Sequence, residues 1–493
     1  MNTFRNQLEK AGTMTYTENG GCAYSTTGRA VYDLFALGGA MRNRTVDIIP
    51  MFRAAFNEDK NLALKCIFYL RDVRGGQGER SVFRAALRDI ATNCDNSQLF
   101  TNLIPLIPEY GRFDDLIHIT YNTPFFKSAV AYLAAQLLFD LRSKNPSLCA
   151  KWMPSENASS NETHKIANAI RIEMGMSHKE YRQLLSFLRG RLRVLERLMS
   201  ANDWDAIDFA KLPAKAGLRY TKCFRNRSET RDRYEAFIAS KNTKVNAGTL
   251  YPYEIVYKVR AHEDAATMQK FWDNLPDYFN GKSSNMICVV DSSGSMLSQI
   301  SDNTRATAWD VAASLGIYTA ERLGGPFRNS FITFSRRPKY VTFNTEKDIA
   351  SKVSRMNRES LYEDTNLEGV FDLLYTTAKR PNVRKEDIPN TVVVISDMEI
   401  NNMTRPCLDR NDASTMMENV RLQWARAGLP MPKLIYWNVM SRHNVFLDDA
   451  DNNGVTYVSG CSPIIFKSVL TGKTGRDLML EVLNGDRYKA VHF

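Results

Sequence analysis

DSSGSM, Asp291 to Met296, follows a continuous apolar run, Met286 to Val290 (MICVV), and precedes a helical stretch that begins near Thr304. A strand buried on both faces reads as such a run. The same layout recurs downstream in SFITFS (330–335), TVVVISD (391–397), KLIYWNV (433–439) and VTYVSG (455–460), all rich in β-branched and aromatic residues. Helix-like segments fall at 304–322, 367–379, 414–427, 463–470 and 476–483. This alternation predicts a doubly wound parallel α/β sheet over residues 285–493. Ligands of such sheets bind beyond the carboxyl ends of the strands, which is where DSSGSM lies.

Asp291, Ser293 and Ser295 alternate as D-x-S-x-S, a spacing that aims one carboxylate and two hydroxyls at one point, with Gly294 relaxing the backbone. Oxygen-only donors suit a hard cation such as Mg²⁺. Asp397 arrives at the carboxyl end of TVVVIS, and Thr365 in the loop YEDTNLEG (362–369) stands just before a helix. The competing reading is a plain helix-capping turn, because Ser and Asp favour such places. Glu399 either joins or competes with these ligands, or caps the next turn. Together, Asp291, Ser293, Ser295, Thr365 and Asp397 resemble the metal-ion-dependent adhesion site of von Willebrand factor A domains. The resemblance implies Mg²⁺ or another divalent cation, with one coordination position open to an acidic group of a protein partner.

Residues 1–284 show hardly any comparable strand. NLALKCIFYLRDV, SVFRAALRDIATN, KSAVAYLAAQLLFDLRSK and YRQLLSFLRGRLRVLERLMS read as helices separated by short polar or Gly/Pro breaks, and they predict stacked antiparallel helix pairs, an α-solenoid. The polar stretch 145–165 reads as a long surface loop. The boundary between a helical domain, 1–284, and the sheet domain, 285–493, is placed at YFNGKSSN (278–285), where turn residues precede the first buried strand.

Charge divides the chain the same way. The net charge is +11; residues 1–284 carry 40 Lys and Arg against 30 Asp and Glu, and residues 285–493 carry 25 against 24. Within 151–250 the count is 19 against 11. On a helical wheel over 181–200, Leu184, Leu188, Leu192, Leu195 and Met199 share one face, and Arg182, Arg189, Arg193 and Arg197 the other. Downstream come Lys211, Lys215, Arg219, Lys222, Arg225 and Arg227, with Tyr220 and Phe224 interleaved. Such a patch is the electrostatic footprint of nucleic-acid binding, and neighbouring aromatics can stack on unpaired bases. The alternative is a solvated helix surface over core aromatics. The glycines of RGGQGER (74–80) match neither phosphate-loop spacing and favour a tight inter-helix turn.

LFALGGAMRNR, LRDVRGGQGER, IPEYGRFDDL and TLYPYEIV, followed by DSSGSM and ISDMEI, resemble a family related in layout to the TROVE-module proteins typified by the Ro autoantigen. That resemblance spans nearly the whole chain. It implies a monomeric ring of HEAT-like helical repeats joined to a von Willebrand A domain, which binds small structured non-coding RNA outside and the single-stranded ends of misfolded RNA within. The insert at 145–165 has no counterpart in that pattern.

Catalysis is not expected. The six histidines form no cluster, HEDAATMQ (262–269) lacks the second His of a zinc-protease helix, and no Walker loop or nucleophile elbow occurs. Eight scattered cysteines without a C-x-x-C pair read as reduced thiols. With no secretory leader and no apolar run of membrane-spanning length, the expectation is a cytoplasmic protein. Two functional readings follow: a Ro-like RNA-binding protein with a partner-docking A domain, or a metal-dependent protein–protein adaptor without specific RNA binding.

Overall fold

The computed structural model describes residues 12–93, 97–360, 365–400, 416–449 and 454–492. Residues 362–364 of the YEDTNLEG loop, the first two residues of the expected 414–427 helix, Cys94 and Cys407 lie outside the described residues. The chain forms two compact units, one from residues up to Cys66 with Leu250–Arg487, the other from Ile67–Thr249 with the residues from Tyr488 onward. This division differs from the expected break at 284.

The first unit contains a short antiparallel hairpin, β1 (Met14–Tyr16) and β2 (Cys22–Tyr24), and a six-stranded sheet. The sheet strands are β3 (Met286–Asp291), β4 (Ser330–Phe334), β5 (Tyr340–Thr342), β6 (Thr391–Ser396), β7 (Lys433–Asn438) and β8 (Val455–Ser459), in the order β5-β4-β3-β6-β7-β8. All neighbours are parallel except β5, which runs antiparallel to β4 and makes the sheet mixed rather than purely parallel. Every residue of β3, β4 and β8 is buried, which is why those runs carry no polar alternation. The chain enters at β3, winds outward through β4, then returns to β6 on the other side. The switch in winding direction therefore lies between β3 and β6, where Asp291 ends β3 and Asp397 directly follows β6.

The helix Ala308–Arg322 packs on β3 and is buried from Ala308 to Ala320. It starts four residues later than expected because Thr307 and Asp310 form a reciprocal capping box. Gly316 sets its distance from the sheet, since a Cβ there would stand 2.6 Å from Val290 Cγ2. Gly316→Val is expected to lower the unfolding free energy by about 1–3 kcal/mol through overpacking, read by urea titration.

A sheet buried on both faces needs helices on both, and part of that cover comes from before residue 284. The Tyr457 N–H donates to Tyr32 Oη (3.0 Å) on the helix Ala30–Leu37, and the Gly39 N–H donates to Ser459 Oγ (3.0 Å). The helix Pro252–Arg260 packs on Ala308–Arg322, with Arg260 Nη1 2.9 Å from Asp310 Oδ1. Physical coverage, not chain order, sets the unit.

The second unit is helical, with no strand among its described residues. The helices Arg80–Asn93, Phe113–Thr120 and Phe126–Arg142 pack in succession. Between them Asp115 is fully buried and receives Arg71 (2.7 Å) and Arg84 (2.6 Å). RGGQGER is a tight turn: a Cβ on Gly76 would lie 1.9 Å from the Tyr69 carbonyl oxygen.

Two expectations for this unit are corrected. The stretch 145–165 is no loose surface loop, because Cys149, Ala150 and Met153 are buried and Glu156 pairs with Arg171 (3.0 Å) and His178 (2.7 Å). The helix expected over 181–200 is two, His178–Arg191 and Leu195–Ser200, because Arg193 adopts a left-handed φ of 45°. Leu185 joins Leu188 and Leu195 in the buried set, while Leu184, Leu192 and Met199 are half-buried.

Candidate metal centre

Strand β3 delivers Asp291 and β6 delivers Ser396 and Asp397 to the same edge, one register apart from the pairing of Val290 with Ile395. Asp291 and Asp397 are both buried. The Ser293 N–H donates to Asp291 Oδ1 (2.8 Å), and Ser293 Oγ lies 2.9 Å from Ser295 Oγ. Ser293 is buried and Ser295 half-buried. The loop holds an Asx turn at Asp291 but no side-chain helix cap, so the competing reading of a plain capping turn gains no hydrogen bond here, and the hydroxyls meet each other beside a buried carboxylate. Gly294 opens a short 3-10 turn and does not take a left-handed φ, so the flexibility expected of it is not used.

The Ser396 hydroxyl donates to Asp291 Oδ2 (2.5 Å) and accepts the Met398 N–H (3.0 Å). Sequence reasoning passed over Ser396, which carries no signal beyond standing before Asp397. Asp397 Oδ1 accepts the Glu399 N–H (3.2 Å), whereas Oδ2 is buried and accepts no hydrogen bond. Arg442 stands beside it, with its Nε 3.8 Å away. Burial pushes the carboxyls of both aspartates above the usual range, and for Asp291 the charge of Asp397 adds to the effect. A buried orphan oxygen costs about 1–3 kcal/mol unless something satisfies it.

Thr365 is buried and precedes Asn366, the cap of the helix Leu367–Ala378. The Asn366 amide donates to the Arg336 carbonyl (3.3 Å) just beyond β4, which puts Thr365 at the carboxyl edge of the sheet, near the end of β4. Two carboxylates, two paired hydroxyls and a threonine at one sheet edge, with an unsatisfied oxygen among them, fit a hard divalent cation.

Glu399 is placed differently. Met398 takes a left-handed φ of 66°, and the chain turns so that the Glu399 carboxylate serves the hairpin turn between β1 and β2. Its Oε2 accepts the Glu18 N–H (2.7 Å), and its Oε1 lies 3.1 Å from His443 Nδ1. Thr17 Oγ1 donates to the Ile400 carbonyl (2.6 Å) and the Asn19 amide to the Glu399 carbonyl (2.7 Å). Glu18, Glu399 and His443 bring potential ligand atoms within 4.8 Å of one another, but both Glu399 oxygens already serve this clamp.

The basic candidates scatter by role. Arg189 is spent internally, donating to the Ala150 carbonyl (2.8 Å), the Met153 carbonyl (2.7 Å) and Ser155 Oγ (2.8 Å). Arg182 and Arg197 are exposed, although each donates to a backbone carbonyl, of His178 and Ser186 respectively. Arg193, Lys215, Arg219 and Lys222 are exposed. Lys211, Arg225 and Arg227 face Asp208, Glu235 and Glu229. Phe224 is fully buried in a cluster with Trp204, Phe209 and Tyr234, and Tyr220 packs against it, so these aromatics belong to the core. An exposed aromatic does stand in this region at Phe187, 57% accessible, beside Arg191.

Among the described residues no helix is long and apolar enough to cross a membrane. The family model "Domain of unknown function (DUF2828)" matches residues 17–119 and 133–296, more than half of the chain, and the chain belongs to that family. A second model, "Domain of unknown function (DUF7788)", matches residues 285–486. The chain is also 29% identical over 502 residues to "Uncharacterized protein L728" of Acanthamoeba polyphaga mimivirus, an alignment covering 93% of this chain and 85% of that protein.

Proposed function

We propose that this member of the DUF2828 family is a divalent-cation-dependent docking protein whose sheet unit works as a von Willebrand A-like domain. Asp291, Ser293, Ser295, Thr365 and Asp397 would hold Mg²⁺, supported by the Ser396 hydroxyl on Asp291. The ion would offer an open coordination position to an acidic side chain of a protein partner. What carries this reading is the pair of buried aspartates at the winding switch, one of them with a buried oxygen that accepts no hydrogen bond among the described residues. The strand order, with an antiparallel edge strand next to β4, supports the A-domain likeness.

Adding Mg²⁺ to chelator-stripped full-length protein is expected to raise its unfolding temperature saturably, with about 2.7 kcal/mol gained at a hundredfold excess over Kd. No shift with Mg²⁺ or Mn²⁺ would sink the reading.

RNA binding by the helical unit, in the manner the Ro-like resemblance implies, is the second reading. It is favoured by the basic excess of 151–250 and by exposed Phe187 among arginines. With Arg189 engaged in packing, its test rests on Arg193 and Arg197. Reversing either to Glu is expected to weaken binding of a single-stranded RNA oligonucleotide and to lower the salt slope by about 1. An unchanged slope in both variants would exclude this surface.

A further inference from the structure

The hairpin turn between β1 and β2 lies beside the metal-site loop, and the contact runs through Arg442. Its Nη1 donates to Glu18 Oε2 (2.8 Å), its Nη2 to the Ser295 carbonyl (3.2 Å) and to Ser298 Oγ (3.0 Å), and its Nε stands 3.8 Å from Asp397 Oδ2. One guanidinium therefore touches the D-x-S-x-S loop, the orphan oxygen of Asp397 and a carboxylate carried by a different part of the chain. That part is held independently by Glu399 and Ile400, through the Thr17 hydroxyl, the Glu18 N–H and the Asn19 amide. Among the described residues, the Glu18 side chain contributes to the attachment through its pair with Arg442 alone.

We propose that Glu18 is a tethered stand-in for the carboxylate of the docking partner, and that Arg442 is the residue the two compete for. A partner's acidic side chain would take Arg442 from Glu18 as it reaches the metal loop, so Arg442 selects for carboxylate over neutral oxygen ligands and Glu18 weakens every external carboxylate by occupying it. This rests on the docking reading above. The Glu18 and Arg442 side chains are 47% and 28% exposed, so their pair is a weak, exchangeable one rather than a permanent lock. A bidentate-capable guanidinium beside a cation suits a carboxylate better than an amide or hydroxyl.

The test uses full-length protein loaded with Mn²⁺ and titrated with glutarate, following the water-proton relaxation of the bound ion. Glu18→Gln is expected to tighten glutarate binding about fivefold, and Arg442→Gln to weaken it about fivefold and to cancel the effect of Glu18→Gln in the double variant. Equal glutarate affinity in wild type and Glu18→Gln, with Mn²⁺ binding intact, would overturn the proposal alone. Failure of the wild type to bind Mn²⁺ would overturn it together with the docking reading. Because Glu18 is exposed and its backbone contacts remain, the variant keeps its fold; an unchanged unfolding temperature checks this.

Discussion

Asp291→Asn is expected to abolish the Mg²⁺-dependent rise in unfolding temperature while leaving the metal-free protein at least as stable as the parent. The two halves of this result have separate causes. Asp291 and Asp397 are buried side by side, and burial together with their mutual repulsion disfavours holding both charged. Asparagine removes one charge without removing shape. Its carbonyl keeps the Ser293 N–H and its amide can donate to the Ser396 oxygen, and relief of the charge repulsion offsets the donors that this swap leaves without a partner. The same change deletes an anionic ligand. Changes in groups that merely orient a ligand cost about 10–100-fold in metal affinity, and loss of a ligand is expected to exceed that. Thermal unfolding with and without chelator reads both effects, and a retained Mg²⁺ shift in Asp291→Asn would place the ion elsewhere.

The second large effect is structural. Asp115→Asn in the helical unit is expected to cost about 3–5 kcal/mol at neutral pH, because it strands a buried guanidinium. The Arg71 side chain is 3% exposed and has Asp115 as its ion-pair partner, while Arg84 divides itself between Asp115 and Asp114. Burial works against the Asp115 charge, yet Arg71 and Arg84 outweigh it and hold the carboxyl below its ordinary value. A depressed carboxyl pKa contributes stability that is present above the unfolded value of about 3.9 and is lost as pH falls through the folded value. The gap between parent and Asp115→Asn should therefore be full at pH 7 and narrow below about pH 4. Urea titrations at the two pH values measure it, and an equal gap at both would mean that packing, not charge, dominates.

The strands were legible because burial on both faces leaves continuous runs of Val, Ile and aromatic residues, and β3, β4, β6, β7 and β8 all match theirs to within a residue or two. Strand β5 was missed: it has three residues with an exposed end, so neither length nor apolar continuity marks it. Asp291 and Asp397 could be read as a pair because strand ends share one edge whatever the loops do. Their surroundings could not. Arg442 and Glu18 are 424 residues apart in sequence, and no local pattern announces such a meeting. Charge misled at Arg189, since a helical wheel sees the sign of a side chain but not the carbonyls of 150 and 153 that engage it. The packing of Ala30–Leu37 on the sheet, and of Pro252–Arg260 on the helix Ala308–Arg322, was hidden for a related reason. An amphipathic helix shows that it has an apolar side, not which surface it will meet.

That cover has a consequence for biosynthesis. Tyr32 and Tyr457 are joined by a hydrogen bond across 425 residues, so the helix Ala30–Leu37 emerges from the ribosome long before β8 exists. At ordinary translation speeds the delay is roughly 20–85 s. Throughout it the buried face of that helix, Val31, Leu34 and Phe35 among it, has no sheet to meet and is open to chaperones or to aggregation. Ribosomes stalled before codon 455 should hold a nascent chain whose first helices are protease-sensitive, and release of the full chain should protect them.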